Sequence, residues 1–332
     1  MERALVLALR GPAHGPNPRV GAVLLAADGT TLAEGWHAGA GTPHAEAMAV
    51  DVARRAGVDL RGATAVVTLE PCSHTGRTGP CTEVLIGAGV RRVLAAVSDP
   101  GAESGHGADV LRTSGVEVEL GLLAGQGEEL LRVWLAAVRR GRPWVTLKLA
   151  TTLDGRVAAS DGSSRWITSA ASRARAHAQR ETVDAIVVGS GTVLADDPSL
   201  TARTPWGELA DHQPLRVAVG LRDVPAGARL RGPGGELVHL ATHDPREVLD
   251  ALAAREVRHV LVEGGPVLSA AFLAAGLVDE VHAYVAPVLL GAGRPAVADL
   301  GIATIARALR LTTLSIEQLG PDVLLVSRPQ EA

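Results

Sequence analysis

His44 and Glu46 stand one residue apart and are followed by Cys72 and Cys81; these four side chains can do chemistry together. His-x-Glu with a downstream Pro-Cys and a further Cys is the donor pattern of a zinc deaminase. One imidazole and two thiolates hold the metal, water fills the fourth position, and a carboxylate that is not a ligand moves protons. A structural zinc site closes all four positions with protein, so three ligands beside a spare Glu point to hydrolysis. Zinc lowers the pKa of its water, and the Glu takes that proton and returns it to the departing amine. The chain has only two cysteines, and both fall inside this pattern. Buried free thiols and a core histidine would give no reason for the ordering.

Local elements must bring the four together. Residues 43–56 read as a helix with Pro43 at its first position, so that His44 and Glu46 share the first turn. Residues 64–69 read as a buried strand. Pro71-Cys72 reads as the opening of the next helical turn, where a thiol is biased to thiolate. Eight residues separate the cysteines, a longer gap than the C-x-x-C of the commoner deaminase signature. This stretch, 73–80, is polar and Gly-containing and carries His74 and Arg77. It reads either as a pocket mouth that offers a cation to a polar or anionic substrate, or as an ordinary surface loop.

Composition narrows the partners. The 332 residues are enough for two domains, each with its own core. Aromatics make up only 2%, so those cores must be built from Ala, Val and Leu. The net charge of −4 and the lack of stacking aromatics disfavour nucleic acid. Both cysteines are committed to the metal pattern, which suits a reducing cytosol. Met1, Glu2 and Arg3 lead straight into an amphipathic stretch without signal-peptide architecture, and no apolar run is long enough to span a bilayer. A soluble cytoplasmic protein is expected, and its oligomeric state is left open.

Along the chain, strands alternate with helices, which predicts mostly parallel sheets covered on both faces, with ligands at strand ends. A helix runs to Gly11, and a hairpin turns at Asp28-Gly29. Arg140-Gly141-Arg142-Pro143 breaks a helix and starts a new apolar pattern, so the expected domains are 1–141 and 142–332. The second domain has no G-x-G-x-x-G after a strand. Two Gly-containing turns do follow buried strands, at 189–192 and 263–266, where backbone amides could approach a phosphate.

The stretches NPRVGAV (17–23), GWH (35–37), PHAE (43–46) and PCSHTGRTGPC (71–81) resemble the deaminase half of the bifunctional riboflavin-biosynthesis deaminase/reductase family. RPWVTLKLATTLDGRVA, SSRWIT, DAIVVGSGTVLADDPSLTAR and LVEGG with AFLAAGLVDE resemble its reductase half. The resemblance covers nearly the whole chain in the expected order. It departs at Gly79, at 101–104 and at Arg132 and Trp134, none of them a metal ligand or catalytic position. It implies an α/β protein: a cytidine-deaminase-like three-layer domain, then a dihydrofolate-reductase-like domain that uses NADPH. Zinc ligands would be His44, Cys72 and Cys81, with Glu46 the proton shuttle and Asn17, His37 and His74 in the pocket. Ala150, Trp166, Thr192, Asp196 and the run Gly265, Pro266, Val267, Leu268, Ser269, Ala270 and Ala271 would contact NADPH. Ser164, Arg180, Leu200, Arg203 and Glu263 would contact substrate; Arg180 and Arg203 suit a ribose phosphate as forked donors. Lys148 and Asp154 would be polar organisers near the hydride acceptor. The implied substrate is a small molecule, a phosphoribosylamino-pyrimidine, deaminated and then reduced. Two other readings stay open: a nucleoside or nucleic-acid deaminase with an unrelated second domain, and a non-catalytic zinc and nucleotide-binding protein. Glu46 has no purpose in the latter.

Overall fold

The computed structural model describes residues 1–74 and 79–330. They divide into two compact units, Met1–Gly141 and Arg142–Ala332. Arg77 lies outside the described residues.

In the first unit, α1 (Glu2–Ala8) precedes a hairpin of β1 (Gly21–Leu25) and β2 (Thr31–Trp36). Then come α2 (Ala45–Arg55), β3 (Thr64–Leu69), α3 (Cys81–Gly87), β4 (Arg92–Val97), α4 (Gly107–Thr113), β5 (Glu117–Leu120) and α5 (Ala124–Arg140). The sheet order is β2-β1-β3-β4-β5, with β1 antiparallel to both neighbours and β3, β4 and β5 parallel. The period of two along each strand sorts the layers. Ala22, Leu24, Ala65 and Val67 join Ala45, Ala49 and Ala53 of α2, while Val23 and Val66 turn to Ala4 and Leu7 of α1. Glycine lets β2 and α2 approach closely: a Cβ at Gly35 would lie 2.2 Å from the Ala45 carbonyl oxygen.

Two helix starts differ from expectation. Helix α2 begins at Ala45, and His44 is its extended N-cap, at φ −67° and ψ 161°, rather than a first-turn residue. Its carbonyl accepts the first helical hydrogen bond, from Met48 N, while its ring is left free to face the cysteines. Helix α3 opens at Cys81 behind Pro80, so Cys81 rather than Cys72 occupies the helix N-terminus. Cys72 sits in the preceding loop because Pro80, with its φ fixed near −59°, is where the chain enters the helix.

The second unit contains β6 (Trp144–Thr152), β7 (Arg156–Ala158), α6 (Ala170–Arg180), β8 (Ala185–Gly189), α7 (Ser190–Asp196), β9 (Leu215–Val219) and β10 (Leu237–Leu240). It continues through α8 (Pro245–Ala253), β11 (His259–Val262), α9 (Pro266–Ala274), β12 (Glu280–Ala286), β13 (Arg294–Pro295), β14 (Leu311–Leu319) and β15 (Asp322–Pro329). The main sheet runs β10-β9-β8-β11-β6-β12-β15-β14. It is parallel from β10 to β12 and closes with two antiparallel pairings. Ala185 and Val187 of β8 face Val248, Leu249 and Leu252 of α8, whereas Ile186 and Val188 face Val193 of α7. The chain's single Phe and single Tyr, Phe272 and Tyr284, are both buried here. Residues 189–192, expected as a Gly-bracketed turn, instead start α7 directly at the end of β8. The hairpin of β14 and β15 has no counterpart in the expected elements. Among the described residues no helix is long and apolar enough to cross a membrane.

Because this unit has its own sheet and buried clusters, a fragment spanning Arg142–Ala332 is expected to fold alone. A single cooperative thermal transition checks it; a fragment that shows none would contradict the two-unit description.

Candidate active site

Three ligand-type side chains converge in the first unit. One donor atom from each of His44, Cys72 and Cys81 lies within 4.8 Å of the others, at the start of α2, after β3 and at the start of α3. His44 Nδ1 is 3.2 Å from Cys81 Sγ and 3.5 Å from Cys72 Sγ. Ligands about 2.0–2.3 Å from one tetrahedral zinc would be roughly 3.6 Å apart, so the donor set and its spacing fit that ion. The backbone N–H of Cys81 also donates to Cys72 Sγ at 3.4 Å. Hydrogen bonding from Cys81, with His44 adding to it, holds the Cys72 thiol down, to about 4. That favours the thiolate, the ligating form. Cys81 is pushed up, because it hydrogen-bonds to Cys72 and is buried.

Glu46 lies in the first turn of α2 and is 3% exposed. Burial pushes its carboxyl up from the usual carboxylate range, which suits a group that must both take and return a proton. His37 is buried behind the triad and its ring meets that of His44 edge-on, with centroids 5.3 Å apart. Its Nδ1–H donates to Pro43 O at 3.0 Å, which leaves Nε2 to accept from Asn17 Nδ2 at 2.9 Å. Burial lowers the His37 pKa, in keeping with a neutral ring. The structure therefore brings Asn17, His37, His44, Glu46, Cys72 and Cys81 into one place. His74 lies in the metal loop two residues after Cys72, and its Nδ1 is buried with no partner among the described residues.

Sequence reasoning missed two contributors here. Trp134, one of the departures from the family pattern, donates from Nε1 to Pro16 O at 3.0 Å and so steadies the loop that carries Asn17. Glu70 accepts backbone hydrogen bonds from Asp99 and Ala108. An acceptor of backbone N–H leaves no partner residue type for a sequence to reveal.

The second unit gathers a different set around Glu263, which directly follows β11. Arg180 forks onto Glu263, Nε to Oε1 at 2.6 Å and Nη2 to Oε2 at 2.9 Å, and its Nη1 donates to Thr201 O at 3.0 Å. Lys148 Nζ lies 3.6 Å from Glu263 Oε2. Burial alone would raise the Glu263 pKa, but Arg180 and Lys148 bring it down to about 2. Burial lowers Lys148. His177, also missed from the sequence, is lowered by burial and then by the Arg180 charge. Arg180 is thus not the unengaged phosphate fork that its type suggests, since three of its N–H groups already have acceptors.

The expected cofactor residues meet in part. A Cβ on Gly265 would lie 2.9 Å from Thr192 Oγ1, and one on Gly264 would lie 2.8 Å from the Leu268 side chain. These glycines let Leu268 and Thr192 pack closely against the backbone where α9 begins. Ser269 is fully buried and its Oγ has no partner among the described residues. Ala270 is buried too, whereas Val267 is 75% exposed, so residues 265–271 do not present one face. Trp166 is 71% exposed, with the Arg173 guanidinium 4.4 Å from its ring centroid. Arg165, beside it, donates to Asp196 O. Ala150 is paired with Tyr284 across β6 and β12. Leu200 is buried with φ 51°, so its backbone rather than its side chain is what a ligand could meet. Ser164 and Arg203 are half-buried, and Arg203 Nη1 donates to Gly207 O at 2.6 Å. Asp154 does not join the cluster. It accepts from Thr152 Oγ1 at 2.6 Å and from Gly291 N at 2.6 Å, which fixes the turn after β6.

Residues 1–97 match the cytidine and deoxycytidylate deaminase zinc-binding region, and residues 143–325 match the RibD C-terminal domain. The riboflavin biosynthesis protein RibD of Mycobacterium tuberculosis (strain ATCC 25618 / H37Rv) is 50% identical over 311 residues, covering 93% of this chain and 90% of the relative. The chain belongs to the RibD family. RibD of Escherichia coli (strain K12) is 39% identical over 363 residues, covering 98% and 97% respectively. A solved RibD-type structure from Thermotoga maritima, a diaminohydroxyphosphoribosylaminopyrimidine deaminase/5-amino-6-(5-phosphoribosylamino)uracil reductase, superposes with a TM-score of 0.89 at 35% identity. It covers 99% of this chain and 97% of that one. As a RibD protein the chain is a bifunctional deaminase and reductase of riboflavin biosynthesis, with a cytidine-deaminase-like first domain and a RibD reductase domain after it.

Proposed function

We propose that this RibD protein deaminates diaminohydroxyphosphoribosylaminopyrimidine in its first domain, 1–141. Its second domain, 142–332, then reduces the resulting 5-amino-6-(5-phosphoribosylamino)uracil to the ribitylamino compound with NADPH, substrates borne by the name of the similar Thermotoga maritima enzyme. The observation that carries the reading is the convergence of His44, Cys72 and Cys81 beside buried Glu46. Zinc held by these three would supply Lewis acidity to a bound water. Glu46 takes the water's proton and returns it to the leaving amine. Neutral His37, fixed by Asn17 and Pro43, orients the His44 ring. His74 faces the polar end of the substrate.

NADPH would supply hydride to the anomeric carbon in the second domain. The start of α9, from Gly265 on, would meet its phosphates with its positive end. Trp166, Thr192, Asp196 and Ala150 complete this cofactor side. The substrate side is Ser164, Leu200, Arg203 and the Lys148–Glu263–Arg180 cluster, whose charges orient the ribosyl group. The chain acts in the cytosol on small molecules rather than nucleic acid, which its acidic balance and scarce aromatics support. It works as a homo-oligomer, which the outermost strand β14 supports: eight of its nine residues are exposed, Leu314 and Ile316 among them. A mass measurement in solution that finds only monomer would remove that part.

Two measurements test the division of roles. NADPH oxidation should follow addition of the diamino substrate only when the first domain is active. NADPH consumed with no deamination would overturn the order of steps. In the second domain, Arg203→Ala should weaken substrate far more than cofactor. One charge-assisted phosphate contact is worth about 1.5–3 kcal/mol, so the substrate KM is expected to rise roughly ten- to a hundredfold. NADPH affinity, titrated by fluorescence, should hold. The reverse pattern would place Arg203 on the cofactor.

A further inference from the structure

Glu70 is a buried carboxylate, 7% exposed, with no cationic partner among the ion pairs of the described residues. Its Oε1 accepts from Ala108 N at 2.8 Å and its Oε2 from Asp99 N at 3.1 Å. These donors flank one segment, the connection from β4 into α4. That segment lies directly on the metal loop. Ser73 Oγ donates to Gly105 O at 2.7 Å, and Ser73 N donates to Ser104 O at 3.2 Å. A Cβ on Gly107 would fall 1.7 Å from Pro71 O, so the two backbones touch where only glycine fits. Glu70's own N–H is bonded to Val97 O, which anchors the carboxylate to the sheet.

We propose that Glu70 is a positioning residue for deamination: its carboxylate clamps residues 99–108 against the Pro71–His74 loop and thereby sets the wall of the pocket beside Cys72. The inference rests on the deaminase reading of that pocket. A carboxylate suits the task because both oxygens must accept. An amide of the same shape presents one oxygen and one NH2, so one backbone N–H would face a donor. The wall would then part from the loop on one side while β3 and the ligands kept their places.

The test is Glu70→Gln in the full-length zinc-loaded enzyme, with Ser73→Ala as a second variant that loosens the same wall from the other side. For each, kcat and KM for deamination are measured per bound zinc, together with zinc content and the reductase rate on the deaminated substrate. Deaminase kcat/KM per zinc is expected to fall about 10- to 100-fold in Glu70→Gln, mainly through KM, with reduction unchanged. Ser73→Ala should fall in the same direction by less. If activity falls only in proportion to zinc or folded protein, with KM per site unchanged, Glu70 is merely structural and the proposal is overturned. Unchanged kinetics in both variants would overturn it as well. A parent enzyme that does not deaminate at all would instead overturn the deaminase reading, so the two failures are distinguishable.

Discussion

Glu46→Gln is expected to lose deaminase activity by a factor of about 100 to 10,000 while its zinc content and reductase rate stay at parental levels. The amide has the carboxyl's shape, so the first turn of α2 and its fully buried setting should persist. What it lacks is a group that can accept the proton of water and hand it to the amine. Burial raises the Glu46 pKa, bringing the carboxyl nearer the range in which both transfers run. Because Glu46 belongs to the first unit and the Lys148–Glu263–Arg180 cluster to the second, reduction of already deaminated substrate should be unaffected. The check is a rate for each half-reaction on the same preparation, with metal content measured alongside. Substantial deamination by this variant would remove Glu46 from the chemistry.

Cys81→Ser is expected to lose metal and deamination together. Cys81 is the first residue of α3, and its Sγ is 3.2 Å from His44 Nδ1. A serine hydroxyl is a harder and weaker ligand than a thiolate, and two remaining donors do not hold zinc as three do. The backbone N–H of residue 81 still donates to Cys72 Sγ, so the loop should keep its course. Metal analysis should give about one zinc per parent chain and far less in the variant. Active parent enzyme without any divalent metal would contradict the assignment of these ligands. Metal binding also adds to folding stability, so the first domain of the variant should melt at lower temperature while the second keeps its transition.

Much of this site is legible in the sequence because its chemistry uses rare residue types. Two cysteines, one His-x-Glu and the strand between them gave the convergence of His44, Cys72 and Cys81 that the structure displays. The hairpin turn at Asp28-Gly29 and the strand 64–69 were equally readable, since turn chemistry and apolar runs are local signals. Helix starts were not. Pro43 looked like a first helical residue, yet His44 must stay extended to aim its ring, so tertiary demand overrode the local preference. The 189–192 stretch looked like a phosphate-cradling turn, but Ser190 begins a helix once Val193 is buried against Ile186 and Val188. Arg180 looked like a free phosphate ligand, and only the fold could bring Glu263 to it across 83 residues. Glu70 and Trp134 act through backbone groups, which every residue carries, so nothing in their pattern announces them.

One RibD chain of this kind should perform both steps in order, deamination beside Glu46 and then reduction in the second domain. Identifying products by mass is the most direct test. Enzyme incubated with the diamino-pyrimidine phosphate alone should yield the compound in which one amino group has become oxygen, with the ribosyl chain intact. With NADPH added, the same incubation should go on to the ribityl product, two hydrogens heavier. If the substrate returns unchanged without NADPH, or if the ribosyl chain is reduced while both amino groups remain, the account is contradicted.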